Sequence, residues 1–462
     1  MKSFCRALAG VLLCVVLLSF SLWRNEVILD LSGLTAFVQS TAARINDIKT
    51  QLEVVVGGGN FTKPSDEGAV FPEYTLSEKL DGELESTLCN GYSQQLTSID
   101  VSAYDLSFDE VQAVVSQICL SHPEYFYVGS TYQCQTTGLG ESKRVTAIQP
   151  SYLYSKEDVV TMTAAYNAAI DAIVAGAPAG GSDFENLLYL HDYFVENYSY
   201  DYTYTIRDAY TFITQKTGVC QAYMQALIAT ANKLGIESIP VTSSTMKHAW
   251  NLVKLDGEWY HVDITWDDTV SLPSHTSYTY FLQSDMGLVN IDKELPEPHR
   301  DWQTGEKAQS TKYDAAIWRN ASTQMLQLNG VFYCTVPVEK EGSLFASASF
   351  CCALYGGSDP TAMQMIKEIN GIWYATEDKS KYYPCAYAGL AVWGEKLLYN
   401  TQNTIHIYDP ATGHDQTVLL SIPGNMNVYG IYRVSASGEV TYMMDTKDMS
   451  GYVIYPTHQI TQ

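Results

Sequence analysis

The sequence predicts an α+β chain whose last part is all β. Apolar residues recur at helical spacing over residues 155–201, and a further helical pattern starts at TGVCQAYM. Strand-like segments follow over residues 236–266, where Asp256 and Gly257 form the residue pair typical of a tight hairpin turn. Helices that precede an antiparallel sheet in this way indicate an α+β domain. Short aromatic strands separated by turns after residue 315 indicate a second, all-β region.

The N-terminal residues predict export. Lys2 and Arg6 precede an uncharged run, Ala7–Trp23, which is typical of a signal sequence. The run is close to the minimum length of a membrane-spanning helix, and no A-x-A cleavage site follows it at once. Residues 1–25 are therefore expected to be either a cleaved signal peptide or an N-terminal membrane anchor. We expect the rest of the chain to be extracytoplasmic, either secreted or anchored at the cell surface.

Changes in residue pattern along the chain divide residues 26–462 into four predicted parts. The glycines of VVVGGGN interrupt a helical pattern, and mixed segments later give way to long helices. Two helix starts carry capping signals: Ser107 is followed by Glu110, and Ser155 precedes a long amphipathic run. The predicted parts are a helical stalk with a Gly-rich linker (26–69), an N-terminal α+β region (70–150), a core (151–310) and a C-terminal β-repeat domain (315–462).

One short pattern recurs in the C-terminal region. LNGVFYCT begins at residue 328, INGIWYAT begins 41 residues later at residue 369, and WGEKLLYNT and SGEVTYMMD are weaker copies. A repeat of this length is typical of the blades of a β-propeller. Because about 150 residues are too few for a full propeller, we expect either a partial propeller or a β-sandwich-like module. Its aromatic residues are expected to form the core and sheet faces or, in part, a surface that binds carbohydrate or peptide.

The charge balance excludes some partners. The chain has 27 Lys+Arg against 51 Asp+Glu, a formal net charge of −24. Such an acidic chain is a poor match for nucleic acid or for an anionic membrane surface. We therefore expect no nucleic-acid partner, and membrane contact only through the N-terminal segment.

Eight of the ten cysteines lie outside the predicted leader, and none of them has C-x-x-C spacing. A zinc site of the ribbon type is not expected, and we predict neither a metal nor another cofactor. In an exported chain these cysteines can form disulfides, for example among Cys89, Cys119 and Cys134, whereas an anaerobic host would leave them reduced.

Three separate segments contain the residues of a cysteine nucleophile site: GVCQAY with Cys220, KHAWNLV with His248, and WYHVDITWDD with Asp263. A free thiol is largely protonated near neutral pH, and the thiolate is the nucleophile. The positive end of a helix dipole would favour the thiolate if Cys220 lies in the first turn of its helix. A histidine beside the thiol can take its proton and return it to a leaving amine, and a carboxylate can orient that histidine.

The hairpin register predicts that His248 and Asp263 meet. A tight turn at Asp256-Gly257 pairs Leu255 with Glu258 and, counting outward, Trp250 with Asp263. His248 shares a face with Trp250, so it is a diagonal neighbour of Asp263 at roughly 7 Å, which is within side-chain reach. We expect the Cys220 helix to pack over that face.

Other polar residues near these motifs are expected to be structural. We expect the register to turn His261 to the face opposite Asp263, as a structural or surface residue. His191 is expected to pack or cap locally or, alternatively, to form part of the wall of the site. Asp267 and Asp268 are expected to be solvated loop carboxylates.

The motifs G-V-C-Q-A-Y, H-A-W-N and W-Y-H-V-D-x-T-W-D resemble the core of the transglutaminase-like superfamily, the papain-like Cys-His-Asp enzymes. They occur in the family's order, with Cys220 and His248 separated by 28 residues and His248 and Asp263 by 15. LHDYFVENYSYD resembles the helix that precedes this core in bacterial members, and HPEYFYV resembles their N-terminal part. The resemblance is specific over residues 180–270 and does not extend to the C-terminal β region.

The resemblance implies a papain-like fold, with a cysteine-bearing helix packed on an antiparallel sheet. It implies that Cys220 is the nucleophile, that His248 is the general base and then the general acid, and that Asp263 orients His248. It also implies an oxyanion hole that includes the Cys220 backbone N–H, and a site bounded by Trp250 and Trp266 as substrate-binding residues. Nothing in the chain resembles the calcium-binding segments of animal transglutaminases.

Two classes of function follow. The first is an exported cysteine enzyme that acts on protein or peptide amides by thioester acyl transfer, on a substrate that can be part of a cell wall or surface. Water as the acceptor would make it a protease or amidase, which an open cleft favours, and a lysine amine would make it a crosslinking enzyme. The second is an inactive adhesion or scaffold protein that binds through its C-terminal β domain.

Overall fold

The structure is a computed structural model that describes residues 76–268, 276–293, 295, 298–339, 350–374, 382–419, 422–446 and 453–460. The predicted leader, stalk and linker (residues 1–69) lie outside the described residues. All described residues belong to one unit, which spans residues 54–462. Within the described part of the chain, no helix combines the length and the hydropathy that a membrane span requires.

The N-terminal part is a pair of helices packed on a small antiparallel sheet. The sheet has the strand order β1-β3-β2. Both hydrogen bonds of the capping box predicted at Ser107 and Glu110 are present. Its cysteines Cys89, Cys119 and Cys134 are free thiols, so the disulfides suggested among them are not formed. The elements are α1 (Gly82–Ser93), β1 (Ile99–Asp100), α2 (Phe108–Ser121), β2 (Val128–Thr137) and β3 (Arg144–Tyr152).

Four helices form one side of the core. Ser155 and Ser182 cap the first two of these helices by accepting backbone N–H groups of the first turn. A short parallel strand pair positions the start of the last helix, and Gly218 in this pair has no room for a side chain, because a Cβ would lie 2.7 Å from the Phe212 ring. The elements are α3 (Lys156–Val174), α4 (Asp183–Asn197), β4 (Ser199–Tyr200), α5 (Ala209–Gln215), β5 (Thr217–Gly218) and α6 (Cys220–Lys233).

A four-stranded antiparallel sheet forms the other side of the core, with the order β6-β7-β8-β9. Asp256 and Gly257 form its tight turn with φ values of 53° and 84°, as predicted, and Leu255 pairs with Glu258. The predicted third strand is shorter than expected, because the chain turns at Asp263 into a helical turn. The elements are β6 (Ser238–Ser243), β7 (His248–Leu255), β8 (Glu258–Val262), α7 (Ile264–Asp267), β9 (Phe281–Gln283) and α8 (Asp285–Asp292).

Helix α6 packs on strands β6 and β7. Its apolar residues share a buried cluster with Val253 and Leu255, and Asn251 on the same face of β7 donates to the Met224 carbonyl of the helix. Because side chains alternate along a strand, Trp250 lies on the other face, in a separate buried cluster. The expectation that α6 covers the face shared by His248 and Asp263 is therefore wrong.

The C-terminal region is a series of antiparallel meanders of four, two, four and three strands. The first packs through Phe332, Cys334 and Val336 on the core. The strands are β10 (Leu326–Leu328), β11 (Val331–Glu339), β12 (Phe350–Gly357), β13 (Gln364–Ile369), β14 (Ile372–Tyr374), β15 (Tyr382–Pro384), β16 (Leu390–Trp393), β17 (Lys396–Asn400), β18 (Ile405–Tyr408), β19 (Asp415–Leu419), β20 (Met426–Val434), β21 (Glu439–Thr446) and β22 (Thr457–Gln459).

The near copies in this region do not occupy equivalent positions. Asn329-Gly330 forms the hairpin turn between β10 and β11, whereas Asn370-Gly371 connects β13 of one sheet to β14 of the next. A disulfide, Cys352–Cys385, links these two sheets. The predicted fold class, α+β with an all-β C-terminal region, is confirmed, and the described strands form no closed barrel or propeller.

Candidate active site

Cys220 is the first residue of helix α6. It is 1% exposed and shares a buried cluster with Ala249, the neighbour of His248. The amide of Asn251 joins this helix to β7 by donating to the Met224 carbonyl at 3.0 Å. Cys220 therefore lies at the positive end of the helix dipole, beside the beginning of β7.

His248 and Asp263 are in direct contact. The Nε2 atom of His248 lies 2.7 Å from Oδ2 of Asp263, and both side chains are buried. The ladder itself ends at the pair Asn251–Val262, so the predicted pairing of Trp250 with Asp263 is absent. Asp263 instead caps α7, and its Oδ1 accepts the Trp266 backbone N–H at 3.1 Å. The cap fixes the carboxylate, and because Nε2 of His248 contacts Asp263, a thiol that gives its proton to this ring would have to meet Nδ1.

The electrostatics keep Asp263 ionised. Burial raises the pKa of this carboxyl, but the charge of His248 and the hydrogen bonds of His248 and His299 outweigh burial and hold the pKa well below its ordinary value. An ionised Asp263 can stabilise the imidazolium that forms when His248 takes a proton.

His261 is structural, but for a reason other than the predicted one. It pairs with Leu252 and lies on the face of the sheet that carries Trp250, since residues two apart on a strand share a face. Its Nδ1 accepts the Trp250 indole N–H at 3.0 Å, and its Nε2 lies 2.9 Å from Asp285 Oδ1. Burial holds the pKa of His261 below its ordinary value, so a neutral ring accepts from Trp250.

Trp250 and Trp266 lie against the His248 ring. Their rings stack on it with centroid distances of 5.4 Å and 5.0 Å and interplanar angles of 22° and 19°. The two tryptophans are 1% and 7% exposed, so they fix the orientation of His248. Their predicted contact with substrate stays a prediction.

Two further residues of the site lie outside every motif of the sequence. His299 and Asp292 are buried beside the site, with His299 Nε2 3.1 Å from Asp263 Oδ2 and His299 Nδ1 2.6 Å from Asp292 Oδ2. They lie 36 and 29 residues after Asp263, outside the three motifs. Only the tertiary fold brings them to the carboxylate.

The donor atoms of His248, Asp263 and His299 lie within 4.8 Å of one another, a grouping that can hold a metal ion. The hydrogen bonds of 2.7 Å and 3.1 Å to Asp263 already account for this grouping. No metal ion is needed to explain the arrangement.

Asp267 is buried rather than solvated, which corrects the prediction for this residue. Its Oδ2 lies 3.2 Å from Nε2 of the buried His191, and its two oxygens accept from the Tyr280 N–H and the Ser277 hydroxyl. Asp268 accepts the Tyr223 hydroxyl at 2.5 Å and is also not a freely solvated carboxylate. These contacts hold the segment after Asp263 against helices α4 and α6.

His191 is expected to make folding stability depend on pH. Burial lowers the pKa of His191, but hydrogen bonds and charges from Asp192 and Asp267 raise it to about 9. A raised pKa in the folded state contributes stability below the unfolded value of about 6.5, and this is lost as the pH rises through about 9. We expect the free energy of unfolding to fall by about 3 kcal/mol over this window.

Urea unfolding between pH 6 and pH 10 measures this slope. His191→Gln should reduce this slope, and His122, whose pKa is raised to about 11, should account for part of what remains. His414→Gln, which changes an exposed histidine, should leave the slope unchanged. An equal slope in His191→Gln and in the wild-type protein would rule out His191 as its source.

Comparison with known families matches one segment of the chain. The sequence model of the "Transglutaminase-like superfamily" matches residues 171–264, which include Cys220, His248 and Asp263. No curated protein matches the chain.

Solved structures that match include a "putative protease" from Parabacteroides distasonis and a "putative cysteine protease" from Cytophaga hutchinsonii. The first is 14% identical over 29% of this chain and 36% of its own, with a TM-score of 0.18. The second is 13% identical over 30% of this chain and 63% of its own, with a TM-score of 0.19. The chain thus spans less than two thirds of either protein, and TM-scores this low add nothing to the family match. Residues 171–264 of the chain thus match the transglutaminase-like superfamily.

Proposed function

We propose that the chain is an exported cysteine enzyme that acts on protein or peptide amides through a thioester. The observation that supports this most strongly is the His248–Asp263 contact of 2.7 Å beside a helix that begins at Cys220. Export is supported by the N-terminal uncharged run and by the Cys352–Cys385 disulfide, a bond typical of oxidising compartments.

The reaction has two halves. In the first, His248 takes the Cys220 proton, and the thiolate forms a bond to the amide carbonyl carbon. The carbon–nitrogen bond then breaks, and the His248 proton goes to the departing amine or ammonia. In the second half His248 takes a proton from water or from an amine, which attacks the thioester carbon. The carbon–sulfur bond then breaks, and the proton on His248 returns to the Cys220 sulfur. We favour water as the acceptor, because the papain-like cleft that the family resemblance implies admits water by default.

Thiol labelling tests the pair of Cys220 and His248. Limited iodoacetamide labelling across pH 5–9, mapped by mass spectrometry, gives a rate for each cysteine. We expect Cys220 to react fastest below pH 7 and to lose that advantage in His248→Ala. Cys119 and Cys134 serve as internal controls, because burial raises the pKa of each thiol, that of Cys119 to about 12. If Cys220 reacts no faster than these cysteines, and equally in both proteins, the enzyme proposal fails.

A second assay separates hydrolysis from transfer. Casein with blocked lysines is incubated with a fluorescent primary amine, and peptide release, ammonia and amine incorporation are measured together. Hydrolysis predicts new peptide ends or ammonia without incorporation, and crosslinking predicts incorporation. Cys220→Ser, as the matched control, should abolish either product. A chain with an inert Cys220 and no product would be the binding or scaffold protein.

A further inference from the structure

A second histidine binds the carboxylate that orients His248. Oδ2 of Asp263 lies 2.7 Å from His248 Nε2 and 3.1 Å from His299 Nε2, so one oxygen contacts both rings. The side chains of His299 and Asp292 are fully buried. The two residues therefore extend the predicted triad by a second, water-excluded pair.

His299 lies between two carboxylates. Its Nδ1 is 2.6 Å from Asp292 Oδ2, and the same oxygen accepts the His299 backbone N–H at 2.9 Å. Oδ1 of Asp292 has no hydrogen-bond partner within the described residues, so Oδ2 makes both contacts. An oxygen that accepts two N–H groups in this way is typical of an ionised carboxylate. With Asp263 on its other side, the ring of His299 has a carboxylate oxygen within hydrogen-bond distance of each nitrogen, so the geometry allows it to donate from both.

Charge balance gives a reason for the presence of both residues if His299 donates from both nitrogens. His299 alone would neutralise Asp263 and remove the negative charge that stabilises a protonated His248. Asp292 cancels the charge of His299, so the group keeps one net negative charge while His248 is neutral. That charge is balanced when His248 takes the Cys220 proton. His299 and Asp292 together thus supply a hydrogen bond to Asp263 without cancelling the negative charge of this carboxylate.

The surroundings hold this ring in place. The ring centroids of Trp250, Trp266 and Tyr280 lie 4.8, 3.9 and 5.2 Å from the centroid of the His299 ring. The titratable groups that face it are His248, Asp263, Asp292, Tyr280 and, behind Trp250, His261.

We propose that His299, held by Asp292, is a positioning residue that donates to Asp263 and keeps this carboxylate aligned with His248. The inference rests on the proposed function, because the alignment matters only if His248 activates Cys220. A metal ion bound by His248, Asp263 and His299 is the competing explanation, and it requires that His299 Nε2 carries no proton.

A pair of double variants tests the donor. Single substitutions would leave a buried charge unpaired, so both residues are changed together. His299→Gln with Asp292→Asn keeps an N–H donor toward Asp263 and the net charge, whereas His299→Leu with Asp292→Asn keeps the net charge and removes the donor. The rate of Cys220 alkylation at pH 6 should fall about tenfold or more in the Leu variant, and the Gln variant should restore it to within about threefold.

The outcomes separate the two proposals. Equal alkylation rates in the two double variants, with Cys220 still dependent on His248, would overturn the role of His299 and leave the enzyme intact. Proton–nitrogen NMR of histidine-labelled wild-type protein gives a second measurement that needs no reactive thiol. It should show N–H protons on both ring nitrogens of His299 at pH 7.5, assigned by their loss in the Gln variant. A ring without a proton on Nε2 would overturn the inference, whether or not Cys220 is reactive.

Discussion

Asp263→Asn is expected to lower the rate of the acyl-transfer reaction by about 10⁴-fold, the loss seen when an amide replaces the carboxylate of a catalytic triad. The carboxylate oxygen Oδ2 accepts from two rings, those of His248 and His299. An amide can keep the helix cap, because its oxygen can still accept the Trp266 N–H. Its NH₂ group would then face two ring N–H groups, and donors cannot pair with donors.

His248 can relieve this conflict only by changing its tautomer. Its Nε2 would have to accept from the amide, so the ring proton would move to Nδ1. Nδ1 is the nitrogen that the proposed mechanism assigns to Cys220, and once protonated it cannot take the proton of the thiol. Asp263→Asn is therefore expected to lower kcat, because it leaves the fold around Asp263 and the substrate-facing residues unchanged.

The measurement is kcat on a peptide substrate identified with the casein assay described above. Thermal unfolding of the same preparation is measured in parallel. Asp301→Asn, which changes an exposed carboxylate near the site, should keep the wild-type rate. If Asp263→Asn retains more than about a tenth of kcat, the tautomer argument is wrong. Loss of rate with loss of folding would instead show that Asp263 acts mainly through the cap on α7.

Local signals predicted the parts of this fold that local chemistry determines. Ser107 with Glu110, and Asp256 with Gly257, satisfy nearby backbone groups or set a turn, so residues a few positions apart decide the outcome. The same turn fixed the register as far as Val262. Beyond that point the cap made by Asp263 ends the strand, and the carboxylate reaches His248 by a different path from the one expected.

Long-range burial determined what the sequence did not reveal. Asp267 looks like a loop carboxylate in WDD, yet His191 contacts it from 76 positions away in the chain. His299 follows a Pro-rich stretch without any motif, and only the packing of α8 beside the sheet brings it to Asp263. LNGVFYCT and INGIWYAT are near copies, but strand pairing depends on partners outside each copy, so one forms a hairpin and the other a link between sheets.

Arg319 joins the core to the segment that follows it, and its guanidinium donates to four backbone carbonyls. Nε donates to the Tyr313 carbonyl at 2.8 Å and Nη2 to that of Leu282 at 2.7 Å. Nη1 lies 3.2 Å from the carbonyls of both Tyr278 and Thr279. A planar group with several fixed donors can satisfy these carbonyls together, which no other side chain can do.

Arg319→Met is therefore expected to lower the free energy of unfolding by about 4 kcal/mol, because charged hydrogen bonds contribute more than neutral ones and the carbonyls lose their partner. Arg319→Lys should recover only part of this loss, since an ammonium group cannot reach all four oxygens. Urea unfolding at pH 7, followed by tryptophan fluorescence, measures both free energies of unfolding.

Arg433→Ala, which removes an exposed arginine of strand β20, is the control and should change the free energy of unfolding by no more than about 0.5 kcal/mol. A loss below about 1 kcal/mol in Arg319→Met would mean that water replaces the guanidinium. The segment carrying Tyr280 beside His299 would then be held by its other contacts, chiefly those to Asp267.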